Sequence, residues 1–190
     1  MPGNAVAGVR AANEKINSEY LQHVEELNHR FRQSKSPISL HNGFVQINGD
    51  ALVHESIEKP FWTLVRDPKW KNVEIDMMEA VDRRESNERD PAFYGAKALE
   101  SAIKIVSDER GFSRGSEKNV NHYIDNLVAD RNGRFVELWE ADALRHIFAN
   151  VRNALGHGPG GQPMPNLTQQ QTDWTIEAAM SWTESLILRL

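Results

Sequence analysis

The residues best suited to chemistry lie in one stretch, Arg152-Asn-Ala-Leu-Gly-His157. Arginine carries a permanently charged, planar guanidinium whose fork matches the oxygens of a phosphate. Histidine accepts and releases protons near neutral pH. Together they meet the minimum need for splitting an RNA phosphodiester, in which a base deprotonates the ribose 2′-hydroxyl and a cation stabilises the phosphate charge. Arg152 and His157 are therefore our candidate catalytic residues.

The spacing of this pair requires a break in the helix that precedes it. Residues five apart on an ideal helix are separated by about 140°, so Arg152 and His157 would not share a face. Gly156 removes this obstacle if it adopts the left-handed conformation that ends a helix and reverses the chain. The sequence then predicts that His157 lies beside Arg152. The helix end favours protonation of His157, whereas Arg152 opposes it, and the balance stays open.

Simpler interpretations of the same residues also exist. Arg152 suits a helix C-terminus as a cation facing the helix dipole, and His157 suits an exposed loop. Asn153, the third candidate catalytic residue, either orients His157 and binds phosphate or makes local backbone hydrogen bonds.

Other charged residues are candidates for binding RNA. Lys97, Glu100 and Lys104 follow helical spacings of three and four, so they either line the same cleft or form a solvated ladder of ion pairs. Arg145 precedes Arg152 by seven residues and is predicted to lie on nearly the same helix face, where it would extend a phosphate site.

Arg114 and Lys118 flank a predicted helix start and either contact the RNA backbone or form a plain exposed pair. All five tryptophans can stack on bases. Four of them lie on or next to apolar stripes, which favours core packing for Trp62, Trp70, Trp174 and Trp182. Trp139 is the exception.

The composition restricts the class of protein. A net charge of −5 over 190 residues argues against a broad, non-specific grip on nucleic acid but is compatible with a small site. The absence of cysteine excludes disulfides and thiolate metal sites. No zinc-binding pattern occurs and the histidines are isolated, so we expect no metal and no cofactor. Gly158–Gly161 lacks the lysine and hydroxyl residue of a nucleotide P-loop.

The chain shows no apolar run long enough for a transmembrane helix and no signal-peptide layout. We therefore expect a cytoplasmic protein without membrane attachment.

Hydrophobic spacing predicts a mainly α fold. A long first helix is followed by a short β-hairpin, 38–47, around His41-Asn42-Gly43. Asp-Pro pairs at 67–68 and 90–91 mark later helix starts, and Thr168 with Gln171 forms a capping box. We predict a small N-terminal α/β portion, residues 1–66, joined to a helical bundle, residues 67–190.

The stretch Arg152-Asn-Ala-Leu-Gly-His157 resembles the hallmark of the HEPN superfamily of helical ribonucleases, an arginine, a polar residue and a following histidine. Residues 90–190 look like the C-terminal domain of bacterial abortive-infection proteins, through 98–104, 152–160 and 174–187. The segment Pro60-Phe61-Trp62 is similar to AbiJ-type proteins.

This resemblance implies a four- to five-helix HEPN bundle that usually forms a symmetric dimer around a shared cleft. It also implies metal-independent RNA cleavage to a 2′,3′-cyclic phosphate and a 5′-hydroxyl, as a phage-defence protein or toxin. Arg152 would stabilise the phosphate and His157 would handle protons, and an antitoxin or a phage-derived trigger is the expected partner. A catalytically silent module that dimerises and senses a partner or nucleotide is the alternative.

Overall fold

The computed structural model describes residues 3–47, 49–156 and 166–190, with side chains from residue 7 onward. The chain divides into two compact units, Met1–Gly49 and Asp50–Leu190. The sequence placed the boundary later, at residue 66. Residues 50–66 belong to the second unit because the helices in this stretch pack on its last helix.

The first unit contains a long helix and the expected hairpin. Helix α1 covers Gly3–Gln33 and ends where Lys35 adopts a left-handed φ of 55°. Strands β1, Ile38–His41, and β2, Phe44–Ile47, pair in antiparallel register. Asn42 and Gly43 have φ values of 48° and 82°, the signature of a type I′ turn. The hairpin prediction is therefore confirmed.

The side chain of Asn28 fixes β1 on α1. Its amide nitrogen donates to the carbonyl oxygen of Leu40 at 2.9 Å, and its oxygen accepts the Leu40 N–H at 2.7 Å. Val24, one turn earlier, is buried. These contacts satisfy both backbone groups of Leu40, as a hairpin lying against a helix requires.

Much of the apolar surface of the first unit faces solvent. In α1, Val24 is buried, whereas Val9 and Ile16 are 62% and 61% exposed. In β2, Val45 and Ile47 are more than half exposed, while the polar residues of the two strands are buried. The N-terminal part of α1 therefore does not contribute to the core.

The second unit begins with three consecutive helical segments: α2, Ala51–Val53, a π-turn, His54–Glu58, and α3, Lys59–Leu64. The carboxylate of Asp50 caps α2 by accepting backbone N–H groups at 2.7 and 3.2 Å. Phe61 and Trp62 of α3 are fully buried and pack edge to face.

Helix α5, Pro91–Glu109, is the centre of the second unit. It packs between α4, Lys71–Glu85, and α9, Gln169–Ile187. Gly95 permits the close approach to α9, because a Cβ there would lie 3.4 Å from Ile176 Cγ1. The shared core contains large apolar side chains from every layer, including Trp70, Met77, Leu99, Ile103, Ile176 and Met180.

The remaining helices are α6, Val120–Val128; α7, Leu138–Ile147; and α8, Asn153–Gly156. Short 3₁₀ turns cover Pro68–Trp70 and Asp130–Asn132. A second π-turn, Phe148–Arg152, joins α7 to α8. The mainly α class with a small antiparallel hairpin is confirmed.

Predictions for the helix ends had mixed outcomes. The Thr168–Gln171 capping box is present, and Gly111 ends α5 with a φ of 67°. Asn119 caps α6, because its side chain accepts the Asn121 N–H at 3.0 Å. Asp90 precedes Pro91 as expected, but makes no side-chain cap and adopts a left-handed φ of 59°.

Candidate functional site

Arg152 is placed by a widened helical turn. The helix that starts at Leu138 passes into the π-turn Phe148–Arg152 before it continues as α8. Phe148 and Val151 are buried and anchor this turn in the core. Arg152 closes the turn with its side chain about one-third exposed. Such single π-turns occur frequently at functional sites, because they change the direction of the side chains that follow.

The guanidinium of Arg152 is held by a buried carboxylate on α5. Arg152 Nε donates to Glu100 Oε2 at 2.9 Å. The other oxygen, Oε1, pairs with Lys104 Nζ at 2.8 Å. Glu100 is therefore saturated by two cations, one from its own helix and one from the π-turn. The structure thus brings Arg152, a candidate catalytic residue, together with Glu100 and Lys104, two candidate RNA-binding residues.

The terminal nitrogens of Arg152 remain available for a ligand. Within the described ranges, the single hydrogen bond of its guanidinium is the one from Nε to Glu100. Since Nε lies on one edge of the planar group, the two terminal nitrogens keep the fork that fits phosphate oxygens. The site can thus bind an anion without breaking the Glu100 contact.

Gly156 plays a different role from the predicted one. It is the last residue of α8 and does not adopt the left-handed conformation, so the expected chain reversal at this residue is wrong. A Cβ on Gly156 would lie 2.9 Å from Cε2 of Phe93. The same ring lies 6.0 Å from the Arg152 guanidinium carbon. Glycine is needed here for close packing beside Phe93, which in turn borders Arg152.

His157 and Gly158–Gly161 lie outside the described residues. The predicted approach of the imidazole to Arg152 therefore stays a prediction. Asn153 is partly exposed and directly follows Arg152 at the start of α8.

Two predicted RNA-binding residues belong to other ion pairs. Lys97 Nζ contacts Asp76 Oδ1 of α4 at 2.7 Å, and so does not join Glu100. Arg145 bonds Asp125 of α6 at 2.7 Å and Asp142 at 3.0 Å. The π-turn between Arg145 and Arg152 changes the helical register, so their spacing no longer places both side chains against the same neighbour.

Arg114 and Lys118 lie in a turn before α6, where the contacts come from their backbones. The Arg114 N–H donates to Glu117 Oε1 at 2.8 Å, and this hydrogen bond is the main reason that the pKa of Glu117 lies below its ordinary value. The Lys118 N–H donates to His122 Nδ1 at 3.0 Å. Among the described residues, neither Arg114 nor Lys118 contacts the Arg152 network, and their backbone hydrogen bonds stabilise the turn.

Two tryptophans are exposed. Trp139 and Trp174 are 69% and 59% exposed, so core packing is wrong for Trp174. Trp174 lies two residues before buried Ile176, about 200° around α9, so it faces away from the buried side chains of this helix. Trp62 and Trp70 are fully buried as predicted.

Sequence reasoning missed two neighbours of the site. Phe93 contacts Gly156 through tertiary packing, which no local pattern reveals. Arg84 lies in the charged stretch 82–90, yet its side chain is only 12% exposed. The repeated arginines of this stretch were the one available signal, and they line a pocket beside Leu155.

In the part of the chain that the structure describes, no group of three or more histidine, aspartate or glutamate residues is arranged to hold a metal ion. No described helix combines the length and apolar character needed to cross a membrane.

Comparison with protein-family models, curated proteins and solved structures found no match to this chain.

Proposed function

We propose that this protein is a metal-independent endoribonuclease with Arg152 at its phosphate-binding centre. The supporting observation is the oriented guanidinium of Arg152, which buried Glu100 fixes through Nε and whose terminal nitrogens donate to none of the described residues. An arginine that only complemented a helix dipole would not need a buried carboxylate on another helix.

The proposed reaction follows from the chemistry of RNA. The ribose 2′-oxygen loses its proton to His157 and attacks the adjacent phosphorus, and the bond from phosphorus to the 5′-oxygen breaks. The leaving oxygen takes up a proton, which gives a 2′,3′-cyclic phosphate and a 5′-hydroxyl. Arg152 stabilises the negative charge that builds on the phosphate oxygens. Asn153 contributes a neutral polar group next to Arg152.

Glu100 acts as a positioning residue for Arg152. A free arginine side chain samples many rotamers, and holding it in one of them lowers the entropy lost when phosphate binds. Lys104 shares the carboxylate and adds a second positive charge on the same side of α5. The net charge of the three groups is +1, which favours a phosphodiester even though the whole chain is acidic.

The wider biological assignment comes from the resemblance of 152–157 to HEPN ribonucleases. It comprises a HEPN-type bundle, a homodimer with two Arg152 residues facing one cleft, and a cytoplasmic role in abortive infection or as a toxin. An antitoxin or a phage-derived trigger would control such an activity.

A cleavage assay in EDTA tests the proposal. The wild type, Arg152→Ala, His157→Ala and the control Arg134→Ala are incubated with RNA, and the product ends are analysed. Arg134 is an exposed arginine that pairs with Asp130 in the segment after α6. Its replacement changes the net charge by the same amount as the replacement of Arg152, and so serves as the control. We expect cleavage by the wild type and the control, and a loss of roughly 10²- to 10⁴-fold for His157→Ala. A loss under about tenfold would contradict the proton role of His157.

A second candidate function is a silent module that dimerises and senses a partner. The exposed apolar side chains of α1 and β2, among them Val9, Ile16 and Val45, favour it, because such surfaces often mark binding sites. Absence of cleavage in every variant, combined with a stable dimer in sedimentation analysis, would support this module over the enzyme.

A further inference from the structure

A pocket of about 150 Å³ lies beside the candidate site, between the end of α4 and the start of α9. Leu155 forms part of its wall, three residues after Arg152. Ala92, the neighbour of Phe93, forms another part. Arg83, Arg84 and Arg89 also line the pocket, so three arginines border one small space.

Arg84 is the most enclosed of the three. Its side chain is 12% exposed, and its nearest carboxylates, Glu58 and Glu85, lie 3.8 and 3.9 Å away. These distances are too long for hydrogen bonds. Across the described residues the Arg84 guanidinium donates no hydrogen bond, although its burial makes unused donors costly. The contacts with Glu58 and Glu85 balance its charge but leave its N–H groups available.

Thr172 supplies a second polar group without a partner. It lies in the first turns of α9, is 7% exposed and lines the pocket. Its hydroxyl makes no hydrogen bond with any described residue, whereas the hydroxyl of Thr175 donates to the Gln171 carbonyl in the usual helical manner. A buried hydroxyl beside a buried arginine, both with free donors, fits an oxygen-rich ligand.

Arg83 shapes the rim of the pocket rather than its interior. Its Nε donates to Glu79 Oε1 at 2.6 Å, and its terminal nitrogen donates to the Arg89 carbonyl at 3.2 Å. Its guanidinium also stacks 4.5 Å above the ring of Tyr94. This hydrogen bond holds the backbone of residues 86–90 against α4, and so fixes the backbone position of Arg89.

The donors and the size of the pocket identify the ligand class. Glu88 and Asp90 line it, and Glu58 and Glu85 lie near Arg84, so carboxylates offset the charge of the arginines and the pocket is distinguished by its directed N–H and O–H donors. The volume is below the roughly 300 Å³ of pockets for drug-sized molecules, but it can accept a single tetrahedral anion. The start of a long helix adds partial positive charge on the side of Thr172. We propose that this pocket binds one phosphate group through Arg84, Arg89 and Thr172.

Two sources supply that chemistry: a backbone phosphate of an RNA chain, or free phosphate and nucleotides. The proposal concerns binding by residues outside the Arg152 network, so it does not require cleavage at Arg152. Binding to the pocket and cleavage are measured separately, and either can fail alone.

Calorimetric titration of the full chain tests the pocket. The probes are inorganic phosphate and a 2′-O-methyl RNA hexamer, which lacks the nucleophilic hydroxyl, each at constant ionic strength set with chloride. The variants are Arg89→Gln and Thr172→Val, which remove one donor each, and Arg134→Gln is the control. Arg89 is 65% exposed and Val matches Thr in size, so both variants are expected to fold. Circular dichroism verifies this.

We expect each pocket variant to weaken binding about tenfold, the effect of losing one hydrogen bond to a charged group. Arg134→Gln should match the wild type. Weakening for both probes, or for inorganic phosphate alone, supports a pocket open to free anions, and weakening for the hexamer alone supports a backbone subsite. Equal affinities of wild type and pocket variants for both probes, or no binding above the chloride control, would overturn the proposal.

Discussion

The contact between Arg152 and Glu100 predicts a measurable coupling in folding stability. The relevant perturbations are Arg152→Ala, Glu100→Ala and the double variant, which form a double-mutant cycle. The cycle removes effects that each side chain has on its own, and leaves the energy of the pair.

The magnitude follows from distance and exposure. The Nε–Oε2 distance of 2.9 Å is that of a good charge-assisted hydrogen bond, and Glu100 has a side-chain exposure of 10%. Hydrogen bonds to charged groups contribute about 1.5–3 kcal/mol, and exposed ion pairs about 0.2–1 kcal/mol. Because Arg152 is one-third exposed and Lys104 shares the carboxylate, we expect a coupling of about 1–2 kcal/mol.

Urea unfolding of the four proteins gives the coupling, with the exposed pair Arg134–Asp130 as a matched cycle. The control pair has side-chain exposures of 48% and 81%, so its coupling should be smaller than that of Arg152 and Glu100. Equal couplings for the two pairs would show that Glu100 does not hold Arg152 in solution.

The same variants connect the contact to activity. Glu100→Gln keeps the shape of the side chain but weakens its hold on Arg152. If Glu100 positions Arg152, this variant should lower kcat more than it raises KM, whereas a purely structural role would leave both unchanged at temperatures where the protein is folded.

Further predictions concern packing and pH. Gly156→Ala forces its Cβ to within 2.9 Å of the Phe93 ring, so overpacking of about 1–3 kcal/mol should exceed the helix-propensity gain of about 1 kcal/mol. Urea unfolding measures this loss, and an equal loss in a Phe93→Leu background would show that the ring is not its cause. The hydrogen bond from Arg189 holds the pKa of Glu140 below its ordinary value of 4.5. The stability it contributes is therefore present above that value and lost as the pH falls through the lowered pKa, and a stability profile from pH 7 to pH 3 should be flatter for Glu140→Gln. Burial raises the pKa of Glu177 above 4.5, with Asp173 as the second cause. The folded state then binds more protons and stability falls as the pH rises through that interval. Glu177→Gln should accordingly have a higher urea midpoint than the wild type at pH 7, and an unchanged or lower midpoint would contradict the raised pKa of Glu177.

Local signals in the sequence predicted local structure well. The Asn42-Gly43 turn and the Thr168–Gln171 box depend on residues within a few positions of each other, and both are present. Pro91 begins α5 because its fixed φ suits a first helical turn. In each case the conformation is determined by the same few residues that form the sequence pattern.

Features that depend on distant contacts were not predictable in this way. Periodicity placed Arg145 and Arg152 on one face, because it assumes a uniform helix and carries no information on a π-turn. Trp174 is close in sequence to an apolar stripe, yet it lies on the opposite face of α9 and is exposed. The Arg152–Glu100 contact joins residues 52 positions apart, so only the packing of two helices reveals it.

Because of the widened turn Phe148–Arg152, the number of residues in this helix determines which neighbours the side chains at its end can contact. A π-turn holds one residue more than the α-helical turn that would replace it. If the turn relaxed into a uniform α-helix with no residue removed, everything beyond it would rotate by about 100° relative to the intact protein. Arg152 would then turn away from Glu100 without any change in its own identity. The position of the Arg152 side chain thus depends on the π-turn keeping its extra residue.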